Sequence, residues 1–274
     1  MRERARPLLF GVFALVAGAG CGAKAAPPVP ATSSALLPPA PSPPTAAREE
    51  APKAAASADS PPARRPGAFA FRGAPVAHGG PPDALPDCEG DLARAGVTFR
   101  PYDKIPVHEE HGSVCGTPQA VIYVKGPGAI AYEPSPVLSC PMALALASFE
   151  HVLQEEADRA FHAPVVRVEQ LGTYVCRKIA AFRNTQSEHS YANAIDLAEF
   201  VLKDGRRVSV LKDFFKGDGE PTRPGAVFLS AVAHRGFDED IFSNVLTPFF
   251  DPGHKNHFHI DLARYRVDGF RPHA

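Results

Sequence analysis

From Gly22 to about Pro86 the chain consists mostly of Ala, Pro and Ser and carries few large apolar side chains. Such a stretch cannot bury enough surface to offset chain entropy, so it is expected to stay disordered. Pairs such as Pro38-Pro39 and Pro61-Pro62 bias it towards extended polyproline II. At about 3 Å per residue it could reach well over about 100 Å, as a tether or as a plain spacer. Because so many of the thirty prolines lie here, they constrain the rest of the fold little. Whatever packs into a core must come from about residues 87–274, enough chain for one domain.

What precedes the linker has a different character. Arg2, Arg4 and Arg6 lead into an apolar run from Leu8 to Gly20, followed by Cys21. A basic start and a short apolar core are those of an export signal, too short to span a bilayer comfortably. Gly18, Ala19 and Gly20 before Cys21 resemble a bacterial lipobox, although a branched aliphatic is usual where Gly18 stands. The expectation is a signal peptide over 1–21, lipidation of Cys21 and a membrane-anchored lipoprotein in the periplasm or cell envelope. The alternative is that Cys21 is removed with a conventional signal peptide. The net charge of −1 comes with no basic stripe, so nothing points to nucleic acid as a partner. The other cysteines are Cys88, Cys115, Cys140 and Cys176. An even number in an exported domain implies two disulfides, with three pairings open. A cysteine zinc site is disfavoured because no pair has C-x-x-C spacing.

Within the folded part, Val97-Thr98-Phe99, Val121 to Val124 and Val165 to Val168 read as strands. Met142, Ala145, Leu146, Phe149, Val152 and Leu153 recur at helical spacing and predict one helix from Cys140 to about Phe161, with Ser139 as N-cap. Glu155 and Asp158 fall on its polar side, while Glu156 lies close to the apolar stripe and is expected to be incompletely buried. Ile195 to Leu202, the turn Lys203-Asp204-Gly205-Arg206, and Arg207 to Leu211 read as a hairpin. Ala226 to His234 reads as a short helix, and Phe258 to Leu262 as a strand. The sum is an α+β domain.

Two short segments carry four of the eleven histidines: Ser187 to Asp196, containing His189, and His254 to His259, containing His254, His257 and His259. Imidazole nitrogen and carboxylate oxygen suit Zn²⁺, and three such ligands with one open position make a catalytic site. On one helix, His189 and Asp196 would lie about 10 Å apart. A loop turning into a strand brings them closer, and the small Ala192-Asn193-Ala194 suits a tight turn. Strand parity puts His257, His259 and Asp261 on one face. One histidine of that pair could bind a metal while the other addresses the substrate. The competing reading is that these histidines only satisfy structural hydrogen bonds.

Ser187-x-His189-x6-Asp196 followed by His257-x-His259 resembles the signature of the LAS metallopeptidases, the D-alanyl-D-alanine carboxypeptidases and murein endopeptidases that cut peptidoglycan. The resemblance implies a single compact LAS/hedgehog-like domain, a small mainly antiparallel sheet flanked by helices, and one zinc ion on His189, Asp196 and His259. His257 and His254 would then be catalytic, and Arg177 and Ser187 would contact substrate, with Arg183 a competitor for the role of Arg177. An ion pair is the structural alternative for Arg177. Carboxypeptidase-type members place a glutamate base where Asn256 stands. A wider set of matches is similar to the bacterial extensin-like protein C-terminal domain: Cys88-x-x-x-Leu92, Ser113-Val114-Cys115-Gly116, Leu138-Ser139-Cys140, Thr173 to Arg177, Asn193 to Asp196, Asp204-Gly205-Arg206 and His254 to Asp261. Members of that family usually carry glycine where Ala192 stands, and commonly a cysteine within the segment Gly236 to Phe242, which has none here.

The resulting expectation is zinc-dependent hydrolysis of amide bonds in peptidoglycan peptides of the cell envelope. The alternative is a non-catalytic wall-binding domain on a lipoprotein tether, with peptidoglycan as the partner in either case.

Overall fold

The computed structural model describes residues 79–180 and 184–270. The expected signal peptide, Cys21, most of the linker and Arg183 lie outside the described residues. The domain is α+β, with its elements in the order the hydrophobic pattern sets. Helix α1 (Cys88–Arg94) is capped by Asp87, whose carboxylate accepts the Gly90 N–H. Strands β1 (Thr98–Pro101), β2 (His108–Glu110), β3 (Ser113–Cys115), β4 (Ala120–Lys125), β5 (Ala131–Glu133) and β6 (Val137–Ser139) follow. Of these, β1, β4 and β6 form a three-stranded antiparallel sheet, and β2 and β3 a hairpin. Val97 stands just outside β1, because its N–H closes the end of α1 on the Leu92 carbonyl.

Helix α2 (Cys140–Phe161) matches its predicted span, and Ser139 Oγ accepts the Met142 N–H as N-cap. It buries Met142, Leu146, Phe149, Val152 and Leu153. Each such side chain contributes about 1.5–3 kcal/mol when removed from water. The same helix buries two acids that polarity alone would put outside, Glu150 and Glu156. Glu156 was expected to be only partly covered. It is buried because the guanidinium groups of Arg159 and Arg235 reach its carboxylate at 2.6 and 2.8 Å.

The rest of the chain builds the larger sheet: β7 (Val165–Gln170), β8 (Ala194–Leu202), β9 (Arg207–Ser209), β10 (Asn244–Leu246), β11 (Phe258–Asp261) and β12 (Val267–Gly269). Its order is β12-β10-β11-β8-β7-β5, with β9 also on β8, so it has seven strands and is larger than expected. All its pairings are antiparallel except β5 with β7 and β10 with β12. Helix α3 (Val210–Asp213) follows β9 directly. The strand predicted to run to Leu211 stops at Ser209, whose N–H is taken by the Asp213 carboxylate at 2.8 Å. Gly205 turns the β8–β9 hairpin at φ +88°. Helix α4 (Pro224–Asp238) packs on α2, and the Phe149 and Phe242 rings meet edge to face at 5.1 Å. A side chain at Gly236 would press on both rings, so this segment is filled by aromatic packing.

The two disulfides are Cys88–Cys140 and Cys115–Cys176. The first ties α1 to the start of α2. The second ties β3 to the segment that runs past His189, where the Val175 N–H donates to the His189 carbonyl. All four cysteines are paired with one another, so the cysteine missing from Gly236 to Phe242 leaves no orphan thiol among them.

Candidate metal centre

Strands β8 and β11 are antiparallel neighbours, and their register places Asp196 directly opposite His259. Paired residues project from the same face with their side chains in reach of each other. His257, two residues earlier, points to that face too, and its Nε2 lies 3.6 Å from Asp196 Oδ1.

His189 reaches the same point from a 3₁₀ turn, Glu188–Tyr191. Ser190 locks that turn: its hydroxyl accepts the Arg177 N–H at 2.9 Å and donates to the Arg177 carbonyl at 2.8 Å. Ala192 ends the turn at φ +52°, the left-handed conformation that favours glycine. For alanine this costs about 1–2 kcal/mol. The methyl is fully buried, worth about 0.8 kcal/mol, and alanine also has less freedom to lose on folding than glycine. These terms nearly cancel, which accounts for alanine at this position. Asn193 then staples the turn to two other elements. Its Nδ2 donates to Glu188 Oε2 at 2.7 Å and the Leu262 carbonyl at 3.1 Å, and its Oδ1 accepts the Ser139 hydroxyl at 3.0 Å.

His189 Nε2, Asp196 Oδ1 and His259 Nδ1 converge. The separations are 3.3 Å for His189–Asp196, 3.1 Å for His189–His259 and 3.0 Å for His259–Asp196. Ligand atoms at tetrahedral corners about 2.0–2.1 Å from a zinc ion lie about 3.3 Å apart. Their outer hydrogen bonds fix which nitrogens are bare. His189 Nδ1–H donates to the Thr173 carbonyl at 3.2 Å, and His259 Nε2–H donates to Asp261 Oδ2 at 3.0 Å. A carbonyl and a carboxylate only accept, so in the neutral rings the lone pairs sit on His189 Nε2 and His259 Nδ1. Two lone pairs and a carboxylate oxygen therefore face one another, an arrangement that calls for a cation or a proton between them.

Asp261 is buried and fully engaged, because its other oxygen accepts Asn244 Nδ2–H at 2.8 Å and the Ala263 N–H at 2.9 Å. Electrostatics follow from this packing. Burial alone would raise the Asp196 pKa, but the adjoining His189 and His259 rings, when protonated, hold it well below the usual carboxylate range. Burial opposes charge on His259, yet the Asp196 and Asp261 carboxylates on either side push it up to about 10. Glu188 is pushed up to about 8, first by burial and then by the nearby Asp261 charge. Burial lowers both His254 and His257.

The remaining predicted residues fall around this centre. His254 Nδ1–H donates to Asp251 Oδ1 at 2.8 Å, and the His254 ring lies 5.3 Å from that of His257 and 5.9 Å from that of His259. Asn256, at the position of the missing glutamate, accepts His257 Nδ1–H on Oδ1 at 2.9 Å. That leaves His257 Nε2 bare and turned towards Asp196. Arg177 is exposed, and among the described residues its guanidinium shows no ion pair. Ser187 is buried, with its backbone bound between Arg177 and Ser190. The sequence pointed to Asn193 only as a small turn residue and gave no role to the Thr173 carbonyl, although both lie in segments already singled out. Strand parity gave Asp261 only a shared face with His259, and the structure sets it behind that ring.

The family described as Extensin-like protein C-terminus matches residues 86–271, more than half of the chain. The chain belongs to that family. No curated protein and no solved structure matches it significantly. In this extensin-like domain three of the segments that carry the resemblance build the centre: Thr173 to Arg177 supports His189, Asn193 to Asp196 supplies the staple and the carboxylate, and His254 to Asp261 supplies His259 and its partner.

Proposed function

We propose that the extensin-like domain holds one zinc ion on His189, Asp196 and His259 and hydrolyses amide bonds in peptidoglycan peptides of the cell envelope. The observation that carries this reading is the convergence of three acceptor atoms within 3.0–3.3 Å, each histidine oriented by an outer acceptor. Two imidazoles and a carboxylate are a zinc donor set, and their backing by Asp261 and the Thr173 carbonyl is the usual support for such ligands. Zinc bound there would act as a Lewis acid on a substrate carbonyl and bring the pKa of water towards about 7. His257, its Nδ1–H held by Asn256, would take the proton of the attacking water on Nε2. That proton would pass to the leaving amine as the C–N bond breaks and the new C–O bond completes. Arg177, exposed and without an ion pair among the described residues, would bind a peptide carboxylate in bidentate fashion.

The choice of peptidoglycan rests on the likeness of Ser187-x-His189-x6-Asp196 and His257-x-His259 to the LAS metallopeptidases. Export on a lipid anchor at Cys21, with the Pro-rich linker as tether, would put the domain beside that polymer. A second reading is a non-catalytic wall-binding domain, and Asn256 in place of a carboxylate base favours it. A muropeptide digest with and without chelator separates the two. New chelator-sensitive cleavage products support hydrolysis. Retention on sacculi with an unchanged muropeptide profile supports binding alone.

A further inference from the structure

A cleft of about 290 Å³ lies beside the centre, lined by Tyr102, Pro134, Ser135, Val137 and the run Gln170 to Tyr174. It shares a wall with the candidate metal centre. The Leu171 N–H donates to the Asp196 carbonyl at 2.8 Å, the Asp196 N–H donates to the Gly172 carbonyl at 3.1 Å, and the Thr173 carbonyl orients His189. One short backbone segment therefore holds two of the three converging residues on one side and bounds the cleft on the other. We infer that this cleft is the subsite for an uncharged stretch of peptide with small apolar side chains, flanking the bond that the centre acts on. The inference takes its peptide from the proposed function and adds where the chain lies and what chemistry it has there.

The lining supports that class of ligand. None of the lining residues carries a charge at neutral pH. Val137, Pro134 and Leu171 are apolar, and Leu171 is 56% exposed, so its side chain is open to a ligand in the cleft. Tyr102 and Tyr174 add aromatic surface. The main polar wall group is Gln170, which is 94% buried, being 6% exposed. Its Nε2 donates to the Pro134 carbonyl at 3.0 Å, and its Oε1 has no partner among the described residues. A buried acceptor left unpaired is costly, and in the proposal Gln170 turns it towards a peptide N–H passing along the cleft. A charged segment would be desolvated there with no counter-ion among the lining residues.

The test is titration of the full chain with acetyl-alanyl-alanine amide, followed by backbone amide NMR, in chelator-treated protein and again with zinc. The expected result is movement of the Gly172, Thr173 and Tyr174 resonances in both states. Leu171→Asp should weaken binding at least about tenfold, and Leu171→Ala less. Leu171 is exposed, so both variants should fold. The inference is overturned if these resonances stay still, if Leu171→Asp binds as well as wild type, or if N-acetylglucosamine moves them and the peptide does not. Zinc uptake without peptide binding here sinks the cleft alone. Peptide binding here without zinc uptake sinks the zinc reading alone.

Discussion

Glu150 makes the pH dependence of stability predictable. It lies fully buried on α2, with Oε1 accepting the Tyr123 hydroxyl at 2.9 Å and Oε2 accepting the Gly128 N–H at 2.7 Å. Burial pushes its pKa from the ordinary 4.5 up to about 7, and the two hydrogen bonds and Lys125 only partly oppose this. The folded state therefore holds the proton more tightly than the unfolded state. Stability is full below about pH 4.5, falls as pH rises through about 7, and is flat above that. The gap between 4.5 and about 7 corresponds to about 3 kcal/mol. In Glu150→Gln the amide can mimic the protonated acid, with its oxygen on the Gly128 N–H and its NH₂ donating to the Tyr123 oxygen. That variant should lose this part of the pH dependence. The assay is urea unfolding at pH 4.5 and pH 8 with disulfides intact, comparing wild type with variant so that other titrating groups cancel. At about 2 kcal/mol per M urea, the difference in midpoint between the two proteins should change by about 1.5 M between the two pH values. A difference that stays constant across the range would refute the reasoning, because it would mean that Glu150 is solvated or ionised at no cost.

Other outcomes follow from the same geometry. Replacing Cys88 and Cys140 together by Ala frees a loop with a sequence separation of 52 and should cost about 4 kcal/mol in thermal or urea unfolding. Asp261→Asn must set an NH₂ group either against His259 Nε2–H or against both Asn244 Nδ2–H and the Ala263 N–H. Zinc affinity, read by competition with a chromogenic chelator, should fall about 10–100-fold. His257→Ala should keep one zinc per chain while muropeptide hydrolysis falls about 10²–10⁴-fold.

The sequence carried the periodic parts of this protein. A helix as long and regular as α2 is legible from its apolar stripe, and Asp204-Gly205 marks its hairpin. The parity of His257, His259 and Asp261 needs only the period of a strand. The register that sets Asp196 opposite His259 was not legible, because it joins residues 63 positions apart through backbone pairing. The three-residue strands β5, β10 and β12 are too short to give a periodic signal, so the sheet came out larger than expected. Buried Glu150 escaped notice, and Glu156 was expected to be only partly covered, because their partners come from other elements: Tyr123 and Gly128 for the first, Arg235 for the second. The left-handed Ala192 was visible only through the glycine that relatives carry there. Asn256 reads as a lost base in the sequence, whereas in the fold it orients His257.

The central claim is that His189, Asp196 and His259 form one cation site. Its most direct test is zinc stoichiometry after equilibrium dialysis of the full chain, measured beside His189→Ala and His259→Ala with folding checked by circular dichroism. The account predicts one zinc per chain in the wild type and none retained in either folded variant. Folded wild type without stoichiometric zinc, or variants that keep it, would contradict the account.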